Sequence, residues 1–168
     1  NAYVLTAAQG EALEVIRRRA AECGAVVQVL GEAWQTQVQS VSLTGVAWIL
    51  QQPEGSAWSL QARLVGEHQV CNASLAVMAA VALGEAAVNQ ETVARGLAKA
   101  CWPGRFEVLR TQPPLVVDGA HNPAGAAVLR RTLDQVFPGS AVLFLLGILK
   151  DKDIDGITSV LVREQDRV

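Results

Sequence analysis

The sequence predicts an α/β protein that divides into two regions near Pro103. Three observations lead to this prediction. Helical and strand-like periodicities alternate along most of the chain, which is typical of α/β folds. A block of short alternating segments with tight turns interrupts this rhythm and predicts an antiparallel meander. The pattern stops at Trp102-Pro103-Gly104 and then restarts, so we expect residues 1–103 and 104–168 to belong to separate domains.

In the first region, a β-α-β pattern is followed by the meander and by two helices. Leu13, Ile16 and Ala20 recur at helical spacing in the first helix. The helix after the meander is apolar around nearly its whole circumference, which is typical of a buried helix. The predicted elements are a strand at Tyr3–Thr6, a helix at Gln9–Glu22, a strand at Ala25–Leu30, meander strands at Gln37–Leu43, Val46–Gln51 and Ala57–Leu64, and helices at Val70–Leu83 and Gln90–Ala100.

In the second region, strands, loops and helices alternate in a way that predicts a sheet with parallel strands. The predicted elements are strands at Phe106–Leu109 and Leu115–Val117, a helix at Pro123–Phe137, a buried strand at Ala141–Leu146 and a helix at Ile154–Val162. Residue 1 is not Met, and the pattern at Arg167–Val168 is typical of the start of a further strand. We therefore expect an excerpt of a longer polypeptide.

The composition excludes several classes of protein. Hydrophobic residues make up 51% of the 168 residues, charged residues make up 18%, and the net charge is −2. A disordered chain or a basic nucleic-acid-binding surface is therefore not indicated. The longest apolar run, Ala141–Leu149, falls short of the roughly 20 residues that span a bilayer, and no signal segment opens the chain. We expect a cytoplasmic monomer that has no nucleic-acid or membrane partner.

The three cysteines, Cys23, Cys71 and Cys101, lack the spacing of a zinc site or of a disulfide framework. We expect them to be small buried hydrophobic residues in a reducing cytosol.

The start of the helix that follows the meander carries His68, Gln69 and Asn72 among apolar neighbours. A buried carboxamide must find partners, and an Asn amide matches the donor and acceptor edge of adenine. The alternative is that Asn72 bonds a neighbouring backbone group and starts the helix.

The segment Asp118-Gly119-Ala120-His121-Asn122-Pro123 follows a predicted strand, at the edge where α/β sheets bind ligands. Asp118 can accept hydrogen bonds from ribose hydroxyls, while His121 and Asn122 precede a helix N-terminus, which favours anions. The alternative is that Asn122 is only an N-cap and His121 is only a surface residue.

Two further segments carry charge near predicted turns. Arg105 follows the rigid Trp102-Pro103-Gly104 corner and can clamp a phosphate, or it is an exposed arginine on an edge strand. The Gly147–Asp153 loop either lines a ligand crevice or is a solvated charged loop. Neither the GxxxxGK[ST] nor the GxGxxG phosphate motif occurs in the sequence.

Together, GEHQVCNA, WPGRFEVL and VVDGAHNPAGA, followed by LLGILKDKD, resemble the bacterial folylpolyglutamate synthase/dihydrofolate synthase family of the Mur ligase superfamily. The pair WPGRFE and DGAHNP is more specific to the folate branch than the first motif. The resemblance implies that residues 1–103 are the end of a Mur-ligase-type central ATPase domain containing the antiparallel meander. Residues 104–168 would then be part of a Rossmann-like C-terminal α/β domain, with ATP bound between the two.

The resemblance also implies roles for individual residues. By motif position, Asn72 would contact adenine and Asp118 the ribose. Arg105 would reach the phosphates, and His121 would lie near the incoming glutamate and the γ-phosphate, so that these two would be the catalytic residues. The supporting members of the nucleotide-binding motifs would be His68 and Asn122.

The implied reaction is ATP-dependent amide ligation of L-glutamate to a folate or to dihydropteroate, through an acyl phosphate. The implied cofactors are ATP and Mg²⁺, with the magnesium ligands and the phosphate loop expected upstream of residue 1, so we expect the excerpt alone to be inactive. The alternatives are another Mur-type amide ligase or a non-catalytic nucleotide-binding module that lacks the phosphate loop.

Overall fold

A computed structural model describes residues 2–168 and gives a mixed α/β fold, as predicted. The strands are β1 (Tyr3–Thr6), β2 (Val26–Val29), β3 (Gln35–Ser42), β4 (Gly45–Gln51), β5 (Ala57–Ala62), β6 (Glu107–Thr111) and β7 (Pro114–Val117). The helices are α1 (Gly10–Glu22), α2 (His68–Ala82), α3 (Gln90–Lys99), α4 (Pro123–Val136) and α5 (Ile154–Leu161). None of the helices in this part of the chain combines the length and the apolar content needed to cross a bilayer.

The chain forms two compact units. Unit 1 comprises residues up to Ser40 together with Val46–Arg63 and Glu67–Ala100. Unit 2 comprises Cys101–Val168 and two short segments from the meander region, Val41–Gly45 and Leu64–Gly66. The assignment of residues 1–103 and 104–168 to two functional domains stays a prediction.

The beginning of unit 1 is the predicted β-α-β arrangement. Strands β1 and β2 pair in parallel, from Tyr3 opposite Val26 to Thr6 opposite Val29. Helix α1 connects them and buries Leu13 and Ala20, two of the residues whose spacing predicts the helix. A parallel pair needs such a crossover connection, so the periodicity of α1 and the strand pairing support each other.

The predicted meander is present as the sheet β3-β4-β5. Strands β4 and β5 are antiparallel, from Val46 opposite Ala62 to Gln51 opposite Ala57. Alternate side chains of these strands are buried, as expected for a sheet with one covered face. The most deeply buried are Trp48, Leu50 and Leu60.

Helix α2 is buried on one face only, which corrects the prediction of a helix that is buried all round. Val70, Ala73, Val77 and Met78 are buried, whereas Asn72 is exposed. Strand β1 packs against the helix. The side chains on the opposite face are mostly small, so composition alone does not reveal that this face is left open to solvent.

Helix α3 begins at Gln90, as predicted, and Asn89 is its N-cap. The Asn89 side chain accepts a hydrogen bond from the Thr92 backbone N–H at 3.0 Å, and the Asn89 backbone N–H donates to the Thr92 hydroxyl at 3.1 Å. This reciprocal capping box satisfies donors that the first turn of a helix leaves unpaired.

In unit 2, β6 and β7 pair antiparallel, from Glu107 opposite Val117 to Thr111 opposite Pro114. The prediction of parallel strands rests on the strand, loop and helix units from Leu115 onward and does not concern this pair. Only Gln112 and Pro113 lie between the two strands. So short a connection allows a hairpin, whereas parallel neighbours require a long crossover.

The predicted buried strand at Ala141–Leu146 is an extended segment with a single parallel bridge, between Leu143 and Arg167. Phe144 and Leu146 pack against the core of unit 2, whereas Leu143 is 78% and Leu145 is 101% exposed. The prediction of a buried strand is wrong because only alternate side chains reach apolar neighbours. An apolar run in the sequence does not reveal that only one face of this segment packs against other described residues.

The core of unit 2 lies between α4, α5 and β6. Helix α4 packs against α5. The fully buried members of this core are Val65, Phe106, Ala126, Leu133, Ile157 and Leu161. Phe106 therefore anchors the turn that carries Arg105.

The cysteines depart from the prediction of burial. Cys23 and Cys101 are exposed, and Cys71 is half-buried, with all three thiols free. Cys23 follows α1 and Cys101 lies just beyond α3, where the chain leaves a helix. Partial burial raises the pKa of the Cys71 thiol above its ordinary value.

Candidate functional site

A tight turn from Gly104 to Glu107 carries Arg105 at its centre. The Gly104 backbone N–H donates to Oε2 of Glu107 at 2.8 Å. The Phe106 backbone N–H donates to Oδ2 of Asp118 at 2.8 Å. Phe106 has a φ of +43°, a conformation that costs a non-glycine residue on the order of 1–3 kcal/mol. The buried ring and the Asp118 carboxylate together hold this strained residue in place.

Asp118 also shapes the loop that follows β7. Its Oδ1 accepts a hydrogen bond from the Ala120 backbone N–H at 2.8 Å. The Gly119 N–H donates to the Gly104 carbonyl at 2.7 Å, and a Cβ added to Gly119 would lie 3.3 Å from that oxygen. Both Asp118 oxygens thus accept hydrogen bonds from backbone N–H groups, those of Phe106 and Ala120. No pattern in the sequence indicates these two bonds. A carboxylate has about four acceptor sites, so capacity remains for a hydroxyl donor.

The next two residues lie at the start of α4. His121 is exposed, and its Nδ1 lies 2.9 Å from the Gly119 carbonyl oxygen. With Nδ1 as the donor, Nε2 is left as an acceptor. Asn122 Oδ1 accepts a hydrogen bond from the Gly125 N–H at 2.7 Å, and Pro123 occupies the first turn. Asn122 is therefore the N-cap of α4, as one of the two alternatives predicts.

Arg105 is exposed, and its side chain makes no ion pair or hydrogen bond with any residue between 2 and 168. The carboxylates of Glu107 and Asp118 bond the backbone N–H groups of the residues on either side of Arg105. The guanidinium charge is therefore not neutralised within this part of the chain. Such an arginine is suited to binding an anion with two parallel hydrogen bonds.

Asn72 lies in unit 1, on the exposed face of α2, so the expectation of a buried carboxamide is wrong. Its Nδ2 donates to Oε1 of Gln69 at 3.1 Å, and Gln69 itself is buried. One Nδ2 hydrogen and the carbonyl oxygen of Asn72 are thus left for a ligand. His68 is half-buried in the first turn of the same helix.

The structure groups four of the six predicted site residues in unit 2, where hydrogen bonds link their loops: Arg105, Asp118, His121 and Asn122. The other two, His68 and Asn72, lie together on α2 in unit 1. Hydrogen bonds between backbone and side-chain atoms position the unit 2 group.

The Gly147–Asp153 loop has a partly structural role. Asp153 is the N-cap of α5 and accepts a hydrogen bond from the Gly156 N–H at 2.8 Å. Lys152 pairs with its neighbour Asp151 at 3.0 Å. Its proposed place in a ligand crevice stays a prediction.

Two features were missed by sequence reasoning. The first is the role of Glu107, which stands inside the WPGRFE motif but carries no signal of a bond to Gly104. The second is the pairing of the buried Arg130 with the half-buried Asp134 at 2.9 Å and with the buried side chain of Asp166 at 3.0 Å. The spacing of Arg130 and Asp134 by four positions on a helix is a signal that could have indicated half of this network.

Comparisons with known proteins agree on one family. The model of the Mur ligase glutamate ligase domain matches residues 104–168. The dihydrofolate synthase/folylpolyglutamate synthase of Bacillus subtilis is 35% identical over 152 residues, which cover 89% of this chain and 35% of that protein. The chain thus spans about a third of the length of this relative.

Solved structures give the same result. The Mycobacterium tuberculosis folylpolyglutamate synthase complexed with ADP superposes with a TM-score of 0.84 at 32% identity, over 95% of this chain and 36% of that one. Escherichia coli FolC in complex with DHPP and ADP gives a TM-score of 0.77 at 29% identity, over 95% of this chain and 36% of that one.

Proposed function

Because the chain belongs to the folylpolyglutamate synthase/dihydrofolate synthase family of the Mur ligase superfamily, we propose that the whole protein is an ATP-dependent amide ligase. It adds L-glutamate to a folate or to dihydropteroate. The observation in this chain that carries the proposal is the exposed Arg105, held on a fixed turn beside two carboxylates that do not neutralise it. The folate-ligase names of the relatives favour the folate branch over other Mur-type ligases.

In this proposal Asn72 recognises adenine. The amide offers one donor and one acceptor side by side after its bond to Gln69, which is the pattern that the adenine edge requires. His68 supports the same helix turn. That the solved relatives were bound to ADP supports a nucleotide as the ligand.

The unit 2 residues act on the rest of the nucleotide. Arg105 binds the phosphates, because its guanidinium has no partner among the residues described. Asp118 accepts a ribose hydroxyl with its remaining acceptor capacity while still holding the Phe106 turn. His121 lies near the γ-phosphate and the incoming glutamate, and Asn122 supports it by capping α4.

The reaction proceeds in two steps. A carboxylate oxygen of the folate substrate attacks the γ-phosphorus of ATP, so that ADP leaves and an acyl phosphate forms. The amino nitrogen of glutamate then attacks the acyl carbon, phosphate leaves, and an amide remains after loss of a proton. Arg105 stabilises charge on the transferring phosphoryl group, and a fixed turn lowers the cost of orienting it.

Magnesium would normally share that charge stabilisation in phosphoryl transfer. No three His, Cys, Asp or Glu side chains converge into a possible metal site within residues 2–168. We therefore assign no residue of this part of the chain to Mg²⁺, and the roles given above do not depend on it.

The nucleotide assignment is tested by Asn72→Ala and Asp118→Asn in the whole protein. Asparagine at 118 keeps an oxygen for the Phe106 N–H and loses only the acceptor of the Ala120 N–H, whereas alanine would release both backbone groups. Each variant should raise the KM for ATP about tenfold, the equivalent of roughly 1.4 kcal/mol in lost hydrogen bonds. The exposed Gln61→Ala is the matched control and should leave KM unchanged. Unchanged ATP dependence in both variants would refute the assignment.

A further inference from the structure

The turn that carries Arg105 is fixed by hydrogen bonds on both of its arms. On the first arm, the Gly104 N–H donates to Glu107 Oε2 at 2.8 Å, and the Gly104 carbonyl accepts from Gly119 at 2.7 Å. On the second arm, the Phe106 N–H donates to Asp118 Oδ2 at 2.8 Å. Arg105 lies between the two arms, so its backbone is fixed by these bonds while its side chain is exposed.

The two carboxylates that bond the residues on either side of Arg105 form no ion pair with its guanidinium. An exposed Arg beside Glu and Asp commonly forms an ion pair. Here Glu107 and Asp118 accept charge-assisted hydrogen bonds from backbone N–H groups instead. The carboxylates therefore fix the main chain, and the Arg105 charge stays available to an anion.

Gly104 is the place where this turn would open. Its φ is +71°, in the left-handed region that glycine adopts more readily than other residues. Glycine has the greatest backbone freedom of any residue. Without the bond from its N–H to Glu107, the first arm of the turn would keep two weaker restraints, the hydrogen bond from the Arg105 N–H to the Trp102 carbonyl at 3.2 Å and the one from the Gly119 N–H to the Gly104 carbonyl at 2.7 Å.

We propose that Glu107 is a positioning residue for Arg105. Its carboxylate closes the first arm of the turn, as Asp118 closes the second. The main chain around Arg105 is therefore already ordered, and it loses little conformational entropy when the guanidinium binds the phosphates. This inference rests on the proposed function, because it requires Arg105 to contact the nucleotide. It assigns Glu107 no contact with substrate.

A double-mutant cycle in the whole protein tests the inference. Glu107→Met keeps the size of the side chain but removes the acceptor, and it should lower kcat/KM for ATP about tenfold. In the Arg105→Ala background the same change should alter kcat/KM less than twofold, since no guanidinium remains to be positioned. Glu107→Gln retains an oxygen for the Gly104 N–H and should keep most of the activity. Glu85→Met, at an exposed position, is the control.

The outcomes are separable. Additive losses from Glu107→Met and Arg105→Ala would overturn the positioning role and leave the proposed function in place. Equal losses from Glu107→Gln and Glu107→Met would also overturn it, because charge rather than the hydrogen bond would then matter. Wild-type activity in Arg105→Ala would overturn the phosphate role and the positioning role together. If Glu107→Met does not fold, Glu107→Asp, which shortens the acceptor arm, should show the same cycle.

Discussion

The guanidinium of Arg130 lies 3.0 Å from the carboxylate of Asp166, and the two side chains are 6% and 0% exposed. Asp166 also accepts hydrogen bonds from the backbone N–H groups of Val142 at 2.7 Å and Arg163 at 3.0 Å. The pair thus ties α4 to the two segments that meet at the parallel bridge between Leu143 and Arg167.

Removal of Arg130 should destabilise the protein strongly. Arg130→Ala removes the ion-pair partner of the buried Asp166 side chain and leaves it the charge of Arg163 alone, and breaking a buried pair costs on the order of 3–5 kcal/mol. Arg17→Ala is the matched control, because Arg17 pairs with Glu32 at the surface and such pairs contribute about 1 kcal/mol or less. Denaturant unfolding of both variants measures the difference. Equal losses would show that the Arg130 network does not stabilise the fold.

Stability should fall in acid in a way that depends on Asp166. Desolvation raises the pKa of Asp166, but the hydrogen bonds from Val142 and Arg163 and the charges of Arg130 and Arg163 outweigh it, so that the pKa lies below its ordinary value. A lowered pKa in the folded state means that this stabilisation is complete above the unfolded value of about 3.9. It is then lost as the pH falls through the folded value.

The measurement for Asp166 is the free energy of unfolding between about pH 6 and pH 2. The wild-type protein should lose more stability over the acid part of this range than Asp166→Asn, which has no proton to take up at that position. Parallel curves for the two proteins would contradict the prediction.

Replacement of Ser74 should stabilise the protein. The Ser74 hydroxyl on α2 is fully buried and has no hydrogen-bond partner among the described residues. An unsatisfied buried polar group costs about 1–3 kcal/mol, and alanine is also the better helix former. Ser74→Ala should therefore raise Tm by a few degrees. The exposed Ser159→Ala is the control and should stay close to wild type, and a lower Tm for Ser74→Ala would refute the prediction.

Arg105→Ala should lower turnover more than it weakens ATP binding. Charge on the transferred phosphoryl group develops during the reaction, so an interaction made with that charge is lost mainly from kcat. Arg110→Ala is the control, because Arg110 is exposed on the neighbouring strand and bonds the Pro113 carbonyl. The measurement compares the fold-decrease in kcat with the fold-increase in the Kd for ATP in Arg105→Ala, and the decrease in kcat should be the larger. Equal losses in both quantities would indicate ground-state affinity alone.

The sequence predicts local structure well because local signals determine it. The start of α3 at Gln90 and the alternation in β4 and β5 depend on neighbouring residues, and the structure has them as predicted. The cap at Asn122 is one of the two alternatives that its motif left open. Burial depends instead on what lies opposite each face. The run at Ala141–Leu146 and the face of α2 that carries Asn72 were therefore predicted with the wrong exposure.

In the candidate site, too, local features were predictable from the sequence, whereas features that depend on tertiary packing were not. The motif around Asp118 indicates a strand end before a helix N-terminus, and both are present. Its bond to Phe106, twelve positions earlier, is not visible in any local pattern. The positive φ of Phe106 and the hydrogen bond from the Gly104 N–H to Glu107 depend on tertiary packing. Only the structure therefore reveals how the turn around Arg105 is held.

The most direct test of the account is ADP release by the whole purified protein with ATP, Mg²⁺, L-glutamate and either dihydropteroate or a reduced folate. The account predicts ADP release that requires both the pterin substrate and glutamate, accompanied by a product one glutamate heavier. ADP release that does not depend on either substrate, or none under any of these conditions, would contradict it.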